Sequence, residues 1–158
     1  MMRLEVRQAK REEFPVLWRL FHDTVHHVNR QDYTPEQLAA WAPDEVDLSR
    51  WALRMEGIDP LVVTAEAQIV GFSDLQSDGL VYMFYVHHLW QRKGVGSTLF
   101  TEIHRKAEQI NLRELHSHVS ITARPFFEVH GFEFVTSQVV TINGITLQNY
   151  LMQKTLSL

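Results

Sequence analysis

The sequence predicts one α+β domain in which a sheet is layered with helices. The chain has 158 residues, of which 45% are hydrophobic, enough for one core without disulfides or a structural metal. Strand-like alternation and helix-like spacing follow one another in the order β-α-α-β-β-β-α-β-α-β-β. No repeat, low-complexity segment or linker interrupts this order, so we expect residues 1–158 to form a single domain.

The first half of the chain is predicted to hold one strand and three helical segments. Residues 3–7 alternate apolar and charged side chains, as a strand does. Apolar residues then recur every three or four positions over 12–28, which predicts a helix. Thr34-Pro35-Glu36-Gln37 provides a hydroxyl N-cap, a proline at the first helical position and a glutamine at N3, so a short helix should run to Trp41. Asp47 can cap a further helical segment.

The second half is predicted to hold the other strands and the clearest helix. Residues 61–63 and 69–72 are strands on either side of a tight turn, and 80–86 is an aromatic strand after the turn at Asp78-Gly79. An apolar stripe over 95–110 predicts an amphipathic helix. The last predicted elements are a strand at 113–120, a short helix at 122–130, and two strands joined by a two-residue turn at Asn143-Gly144.

Composition argues against several classes of function. Fifteen Lys and Arg residues against 19 Asp and Glu residues give a net charge of -4, so we expect no nucleic-acid partner. The chain has no cysteine, hence no disulfide, thiolate metal site or cysteine nucleophile. No apolar run approaches the ~18 residues of a membrane span, and the N-terminus lacks the apolar core of a signal peptide. We therefore expect no membrane partner and a cytoplasmic location.

The most informative segment is the basic turn between the aromatic strand and the clearest helix. Gly94 and Gly96 remove the Cβ atoms that would keep a ligand from the main chain, so N–H groups at the helix start can bind an anion. Arg92 and Lys93 add positive charge. The pattern favours phosphate binding, the alternative being glycines that only permit a tight turn. The segment matches neither a Walker loop nor a dinucleotide-binding fingerprint. In the fingerprint, Leu99 would stand at the position of the third glycine.

Two motifs together identify a family. Gln91 to Gly96 resembles the Gln-x-x-Gly-x-Gly turn of the GCN5-related N-acetyltransferases, and Ala123 to Phe132 resembles their Ala-x-x-x-Tyr-x-x-x-Gly-Phe element. The resemblance extends over essentially the whole chain, including the order of strands and helices. It implies a mixed, mostly antiparallel central sheet of about seven strands that is flanked by helices and splayed between the fourth and fifth strands.

The resemblance also implies acetyl-CoA as a cosubstrate and assigns residues to it. The Val86 amide would bond the cofactor carbonyls, Gln91 to Gly96 would surround the pyrophosphate, and Ser120 would bond the pantetheine arm in the place where the family often has asparagine. The implied cofactor-binding residues are Val86, Gln91, Arg92, Lys93, Gly94, Val95, Gly96, Ser97, Ser120, Phe126 and Phe127.

The usual general acid is absent from this sequence. The family commonly has a tyrosine where this chain has Phe127, and phenylalanine has no proton to give. Water, Ser120 or Tyr85 could protonate the leaving thiolate instead, the alternative for Tyr85 being a packing role.

Three residues are candidates for the general base, because direct attack requires a neutral amine. The family often has Glu or His on the strand before the turn, where the nearest match is Tyr82. Tyrosine is a poor base near neutrality, whereas His118 on the next strand is of a type that titrates there. Asp74 is the third candidate. The alternatives are a packed aromatic for Tyr82 and solvated strand ends for His118 and Asp74.

The acceptor wall and the metal content complete the predictions. In family members the first two helices form the acceptor side, which implies contacts from His26, Asn29, Tyr33 and Trp41, with core packing as the alternative for Trp41. His22 and His26 have the spacing of a zinc helix, but no third ligand is evident nearby and the chemistry needs none. We therefore expect no metal.

The sequence thus predicts an acetyl-CoA-dependent N-acetyltransferase that acts by direct attack of a primary amine of a small molecule or peptide. The alternative is a noncatalytic acyl-CoA-binding sensor on the same fold, which the missing tyrosine at Phe127 favours. A homodimer is left open. Turnover of acetyl-CoA over a panel of amines separates the enzyme from the sensor.

Overall fold

A computed structural model describes residues 3–157 and places them in seven strands, five α-helices and three short 3-10 helices. The strands are β1 (Leu4–Gln8), β2 (Leu61–Ala65), β3 (Gln68–Ser73), β4 (Phe84–Val86), β5 (Glu114–Ser120), β6 (Glu133–Ile142) and β7 (Ile145–Thr155). The helices are α1 (Phe14–Val28), α2 (Pro35–Trp41), α3 (Leu48–Ile58), α4 (Val95–Gln109) and α5 (Arg124–Val129). No helix within residues 3–157 is long and apolar enough to cross a bilayer.

The strands form two antiparallel sheets that separate between β4 and β5. The order is β1-β2-β3-β4 in the first sheet and β5-β7-β6 in the second. An isolated parallel bridge between Leu80 and His116 connects the two at one end. There the Val81 N–H donates to the His116 carbonyl at 2.9 Å, and the His116 N–H donates to the Gly79 carbonyl at 3.0 Å. The predicted seven strands and the predicted splay are both confirmed.

The strand β4 is shorter than the sequence predicts. Only Phe84–Val86 pairs with β3, although the aromatic pattern begins at Leu80. Just before β4, the Asp74 carboxylate accepts hydrogen bonds from the backbone N–H groups of Tyr82 (3.2 Å) and Met83 (2.7 Å). The Ser73 hydroxyl donates to the Met83 carbonyl at 2.6 Å. Side chains therefore take the backbone groups that a longer ladder would have paired.

Local signals for helix and turn boundaries agree with the structure. The Thr34 hydroxyl accepts from the Gln37 N–H at 3.1 Å while the Gln37 side chain accepts from the Thr34 N–H at 2.9 Å, which is the predicted capping box of α2. Asp47 caps α3 by accepting from the first-turn N–H groups. Asn143 (φ 49°) and Gly144 (φ 80°) form the predicted turn between β6 and β7.

Helices cover both faces of the first sheet. Because successive side chains of a strand point to opposite faces, Val62 packs with residues of α1 and α3, and its neighbour Val63 packs with α4. Phe21, at 2% exposure, lies at the centre of the α1 and α3 side, and Leu99 is fully buried on the α4 side. The helices leave the gap between β4 and β5 open, and the candidate site lies in this gap.

Candidate active site

Two cavities meet at the gap between the sheets. The larger cavity, of about 900 Å³, extends from the gap to the N-terminus of α4. The smaller cavity, of about 500 Å³, lies between α1, the α2 region and the β6–β7 hairpin. Both are lined by the same five residues at their junction: Trp41, Tyr82, Tyr85, His118 and Ser120. A ligand in one cavity can therefore reach a ligand in the other.

The turn before α4 presents backbone donors to the larger cavity. Gly94 is the N-cap residue with φ of 85°, in the left-handed region that favours glycine, and it has no side chain to cap the helix. The first-turn N–H groups of this 15-residue helix thus lack a capping side chain, at the end where the helix dipole favours an anion. The cavity wall here consists of Gln91, Arg92, Gly94, Val95, Gly96 and Ser97.

Two residues of the predicted turn differ from their neighbours. Lys93 does not line the larger cavity, and its ammonium lies 5.2 Å from the centre of the Trp90 ring. A Cβ on Gly96 would stand 2.4 Å from the Phe126 ring, so a side chain there would displace that ring. Phe126 itself lines the cavity. Gly96 is therefore needed for the contact between α4 and α5 as well as for an approach to the main chain.

The end of β4 is held in one orientation. The Val86 carbonyl accepts from the Thr24 hydroxyl at 3.0 Å and from the Gln91 side-chain amide at 2.8 Å. The His87 N–H donates to the Val70 carbonyl of β3 at 2.8 Å. Because successive N–H groups along a strand alternate in direction, the Val86 N–H points away from β3, towards the gap.

Ser120 faces Val86 from the other sheet and keeps its hydroxyl hydrogen available. Its Oγ accepts from the Asn29 side-chain amide at 3.2 Å and from the Ala123 N–H at 3.0 Å. Both of these bonds use the oxygen as acceptor, so the O–H remains free to donate into the larger cavity. Asn29, predicted as an acceptor contact, is 5% exposed and also lines that cavity.

The junction residues Tyr85 and His118 both have hydrogens to donate. Burial raises the pKa of Tyr85 well above its ordinary value, which keeps the phenol protonated. The side-chain nitrogen of Gln138 lies 2.7 Å from His118 Nδ1 and donates to the side-chain oxygen Oδ1 of Asn149 at 2.8 Å. An amide nitrogen only donates, so His118 Nδ1 accepts and the ring hydrogen lies on Nε2.

The remaining base candidates have different surroundings. The Tyr82 side chain is 42% exposed, and its oxygen accepts from Arg54 Nη2 at 2.7 Å and Nε at 3.1 Å. Asp74 is fully buried, lines neither cavity, and accepts from three N–H donors, one of them the Gln76 side chain at 2.6 Å. Burial raises its pKa to about 6. The interpretation of Asp74 as a solvated strand end is wrong, because the Tyr82–Met83 backbone covers it.

Phe127 is a packed residue at the edge of the larger cavity. It is 3% exposed, and its ring centre lies 5.4 Å from that of Phe84, 5.2 Å from Phe100 and 5.1 Å from Phe132. All three contacts are edge-to-face, the geometry that aromatic pairs favour. Phe127 therefore contributes to the core that supports the cavity floor.

The predicted acceptor residues separate into two groups. Trp41 lines both cavities, and Tyr33 lines the smaller one, with their ring centres 5.3 Å apart. The Tyr33 hydroxyl donates to the Gln148 carbonyl at 2.6 Å and accepts from the Ile121 N–H at 3.0 Å. His26 lines neither cavity, and its Nε2 lies 2.7 Å from the Ala42 carbonyl.

The structure brings a third group to the histidine pair of α1. Asp44, in the connection between α2 and α3, places a carboxylate oxygen 2.9 Å from His22 Nε2. One ligand atom from each of His22, His26 and Asp44 lies within 4.8 Å of the others. The statement that no third ligand is near the pair is therefore wrong, because the chain returns to α1 only after α2. The prediction that the reaction uses no metal stays a prediction.

Arg54 is a site residue that the sequence did not indicate. It lies on α3 and its side chain reaches the smaller cavity. The local sequence around it shows only a helix, and its contact with Tyr82 depends on the packing of α3 beside the segment before β4. No local spacing could have revealed it.

Comparison with known proteins identifies the family. A family model for the acetyltransferase (GNAT) domain matches residues 29–156. The chain is 30% identical to the uncharacterized N-acetyltransferase YafP of Escherichia coli (strain K12), over 97% of both chains. The chain therefore belongs to the GCN5-related N-acetyltransferase family and is an N-acetyltransferase.

Solved structures agree with this assignment. A GCN5-related N-acetyltransferase from Rhodopseudomonas palustris superposes with a TM-score of 0.93 at 29% identity, over 99% of this chain and 98% of that one. The PaiA N-acetyltransferase from Thermoplasma acidophilum, solved in complex with coenzyme A, superposes with a TM-score of 0.78 at 17% identity, over 98% and 100% of the two chains. The second likeness shows the fold alone.

Proposed function

We propose that this enzyme moves an acetyl group from acetyl-CoA to a primary amine of a small molecule or peptide by direct attack of the amine. The observation that carries the proposal is the junction of the two cavities. One cavity ends at an anion-binding helix terminus, the other is lined by aromatic rings, and five residues are common to their walls. Two substrates can thus meet without a covalent enzyme intermediate.

The residues of the larger cavity fit acetyl-CoA. The uncapped N–H groups of α4, with Arg92 beside them, suit a pyrophosphate, and the left-handed Gly94 lets it approach the main chain. The Val86 N–H and the Ser120 hydroxyl, on opposite sides of the gap, suit the amides of the pantetheine arm. Acetyl-CoA supplies an acetyl group already activated as a thioester.

The residues at the junction support proton transfer in a particular direction. Tyr85 is protonated, and His118, whose Nδ1 accepts from Gln138, presents the N–H of Nε2, so both can donate to a developing negative charge or to the leaving sulfur. No carboxylate from residues 3–157 lines either cavity. We therefore propose that the amine loses its proton to solvent. The phenolic oxygen of Tyr82 is the alternative proton acceptor at the junction.

A sensor function has one observation in its favour, which is Phe127. Its ring packs in the core and supplies no hydroxyl to the junction. Acetyl-CoA binding without release of free thiol over a broad amine panel would favour the sensor over the enzyme. Thiol release that depends on an added amine would support the enzyme.

The Gly94→Val variant tests the cofactor site. We expect acetyl-CoA affinity to fall by about tenfold or more, because a β-branched residue resists positive φ and obstructs the turn. Calorimetric titration measures it. The matched control is Gly57→Val in α3, where an added Cβ meets nothing within 4 Å. An unchanged dissociation constant in folded Gly94→Val protein would contradict the assignment of this turn.

A further inference from the structure

The smaller cavity carries one guanidinium and no carboxylate. Among its lining residues in the described part of the chain, Arg54 is the one with a permanent charge, and the others are aromatic, apolar or neutral polar side chains apart from His118. The larger cavity likewise has no acidic residue in its described wall. An amine that enters as a cation therefore finds no fixed negative charge.

Arg54 is held in place without a carboxylate partner. Both of its contacts with Tyr82 end on the same phenolic oxygen, at 2.7 Å and 3.1 Å. Its guanidinium carbon lies 5.3 Å from the centre of the Tyr82 ring and 5.7 Å from that of Trp51. Within residues 3–157, no carboxylate oxygen comes within 4.0 Å of it. A guanidinium has five N–H donors, so three remain for a ligand.

This arrangement selects among amines by their second functional group. A further positive charge on the acceptor would be repelled by Arg54 and would meet no compensating carboxylate. A carboxylate or related oxyanion would accept paired hydrogen bonds from the planar guanidinium. The aromatic wall, which includes Trp18, Phe21 and Trp41, would pack against an apolar body between the two ends.

We infer that the acceptor is a primary amine that also carries an oxyanion bound by Arg54, and that polyamines are rejected. This inference rests on the proposed function, because it places the acceptor in the smaller cavity with its amine at the junction. Tyr82 is then a positioning residue, since its oxygen holds Arg54 towards that cavity.

Matched pairs of amines test the inference. L-phenylalanine is compared with phenethylamine, and 4-(aminomethyl)benzoate with benzylamine, each pair differing by one carboxylate at a different distance from the amine. We expect kcat/KM to be about 10- to 100-fold higher for the acid of at least one pair, the range of a charge-assisted hydrogen bond. Spermidine should have a lower kcat/KM than the preferred acid. Arg54→Gln should lower kcat/KM for the preferred acid and remove the preference, so that the acid and the amine without a carboxylate are used alike.

The control is Arg50→Gln on the same helix, since Arg50 is exposed and lines neither cavity. Calorimetric titration of the preferred acid into both variants, without acetyl-CoA, gives a readout besides turnover. If the acid binds more weakly to Arg54→Gln but not to Arg50→Gln, the inference is supported, even if no amine is acetylated. A failure to acetylate any amine would overturn the proposed function. Equal use of acid and amine in both pairs, faster use of spermidine, or unchanged acid binding in Arg54→Gln would overturn the inference while transfer itself stands.

Discussion

At the residue scale, Asp74 links burial to pH. Its pKa is raised from 3.8 to about 6, so between these values the folded protein binds more of this proton than the unfolded chain does. The free energy of unfolding should therefore fall as the pH rises through this window. The carboxyl stabilises the fold more when protonated, although its three N–H contacts orient the segment before β4 in either state.

A comparison of wild type with Asp74→Asn isolates this effect. The free energy of unfolding of wild type minus that of Asp74→Asn should decrease by on the order of 2 kcal/mol from about pH 4 to about pH 7. The other carboxyls titrate alike in both proteins and therefore cancel. Urea denaturation at several pH values measures it. A difference that is constant or that grows with pH would show that the hydrogen bonds outweigh burial.

Also at the residue scale, we propose that no single junction group is the dedicated proton donor. With Phe127 unable to donate, we expect Tyr85→Phe and Ser120→Ala each to lower kcat by less than ~100-fold, whereas one dedicated acid contributes ~10²–10⁴. The pH profile of kcat should rise as the amine deprotonates and show only a weak falling limb. Steady-state kinetics on a standard amine with acetyl-CoA tests both. A loss above ~10³ in Tyr85→Phe, with binding retained, would identify Tyr85 as the single acid.

Single residues also show why part of the site escapes prediction. The turn from Gln91 to Gly96 is contiguous, so its chemistry is legible in the sequence. Arg54 and Asp44 join the site or the histidine pair only through contacts between segments that are distant in the sequence. The residues adjacent to them in the sequence do not indicate those contacts. The contacts are therefore apparent only in the folded structure.

At the element scale, one phenol connects three parts of the acceptor wall. Tyr33, just before α2, bonds the Gln148 carbonyl of β7 and the Ile121 N–H after β5, and it is 7% exposed. Tyr33→Phe leaves that partly buried N–H without its partner, which costs about 1–3 kcal/mol. Urea denaturation should show this loss. Tyr82→Phe is the matched control, because its exposed hydroxyl bonds only Arg54. Equal stabilities of the two variants would contradict this role for Tyr33.

Elements differ in how far the sequence determines them. The boundaries of α2 and of the β6–β7 turn follow from interactions within four residues, and both agree with the structure. β4 is shorter than its pattern because Asp74, ten residues before the strand begins, bonds the Tyr82 and Met83 amides. Alternation of side chains reports which face is buried, but it does not report what satisfies the backbone.

At the scale of the whole molecule, we predict that acetyl transfer requires no metal. Exhaustive chelation of tag-free protein should leave the rate of acetyl transfer unchanged, because the proposed proton donors and anion-binding groups are all organic. His22, His26 and Asp44 lie outside the lining of both cavities. Metal analysis accompanies the assay. A stoichiometric metal that is absent from His26→Ala, together with activity lost on chelation, would contradict this prediction.

Within residues 3–157, the two sheets are joined to each other by backbone hydrogen bonds at one end only. Backbone hydrogen bonds join the two halves where residues 79–81 meet His116, and from there β4 and β5 diverge towards Val86 and Ser120. A ligand that hydrogen-bonds both Val86 and Ser120 would connect the two sheets at the end where the strands have diverged. An acceptor in the smaller cavity would then contact walls that the ligand in the gap also contacts, because five residues line both cavities.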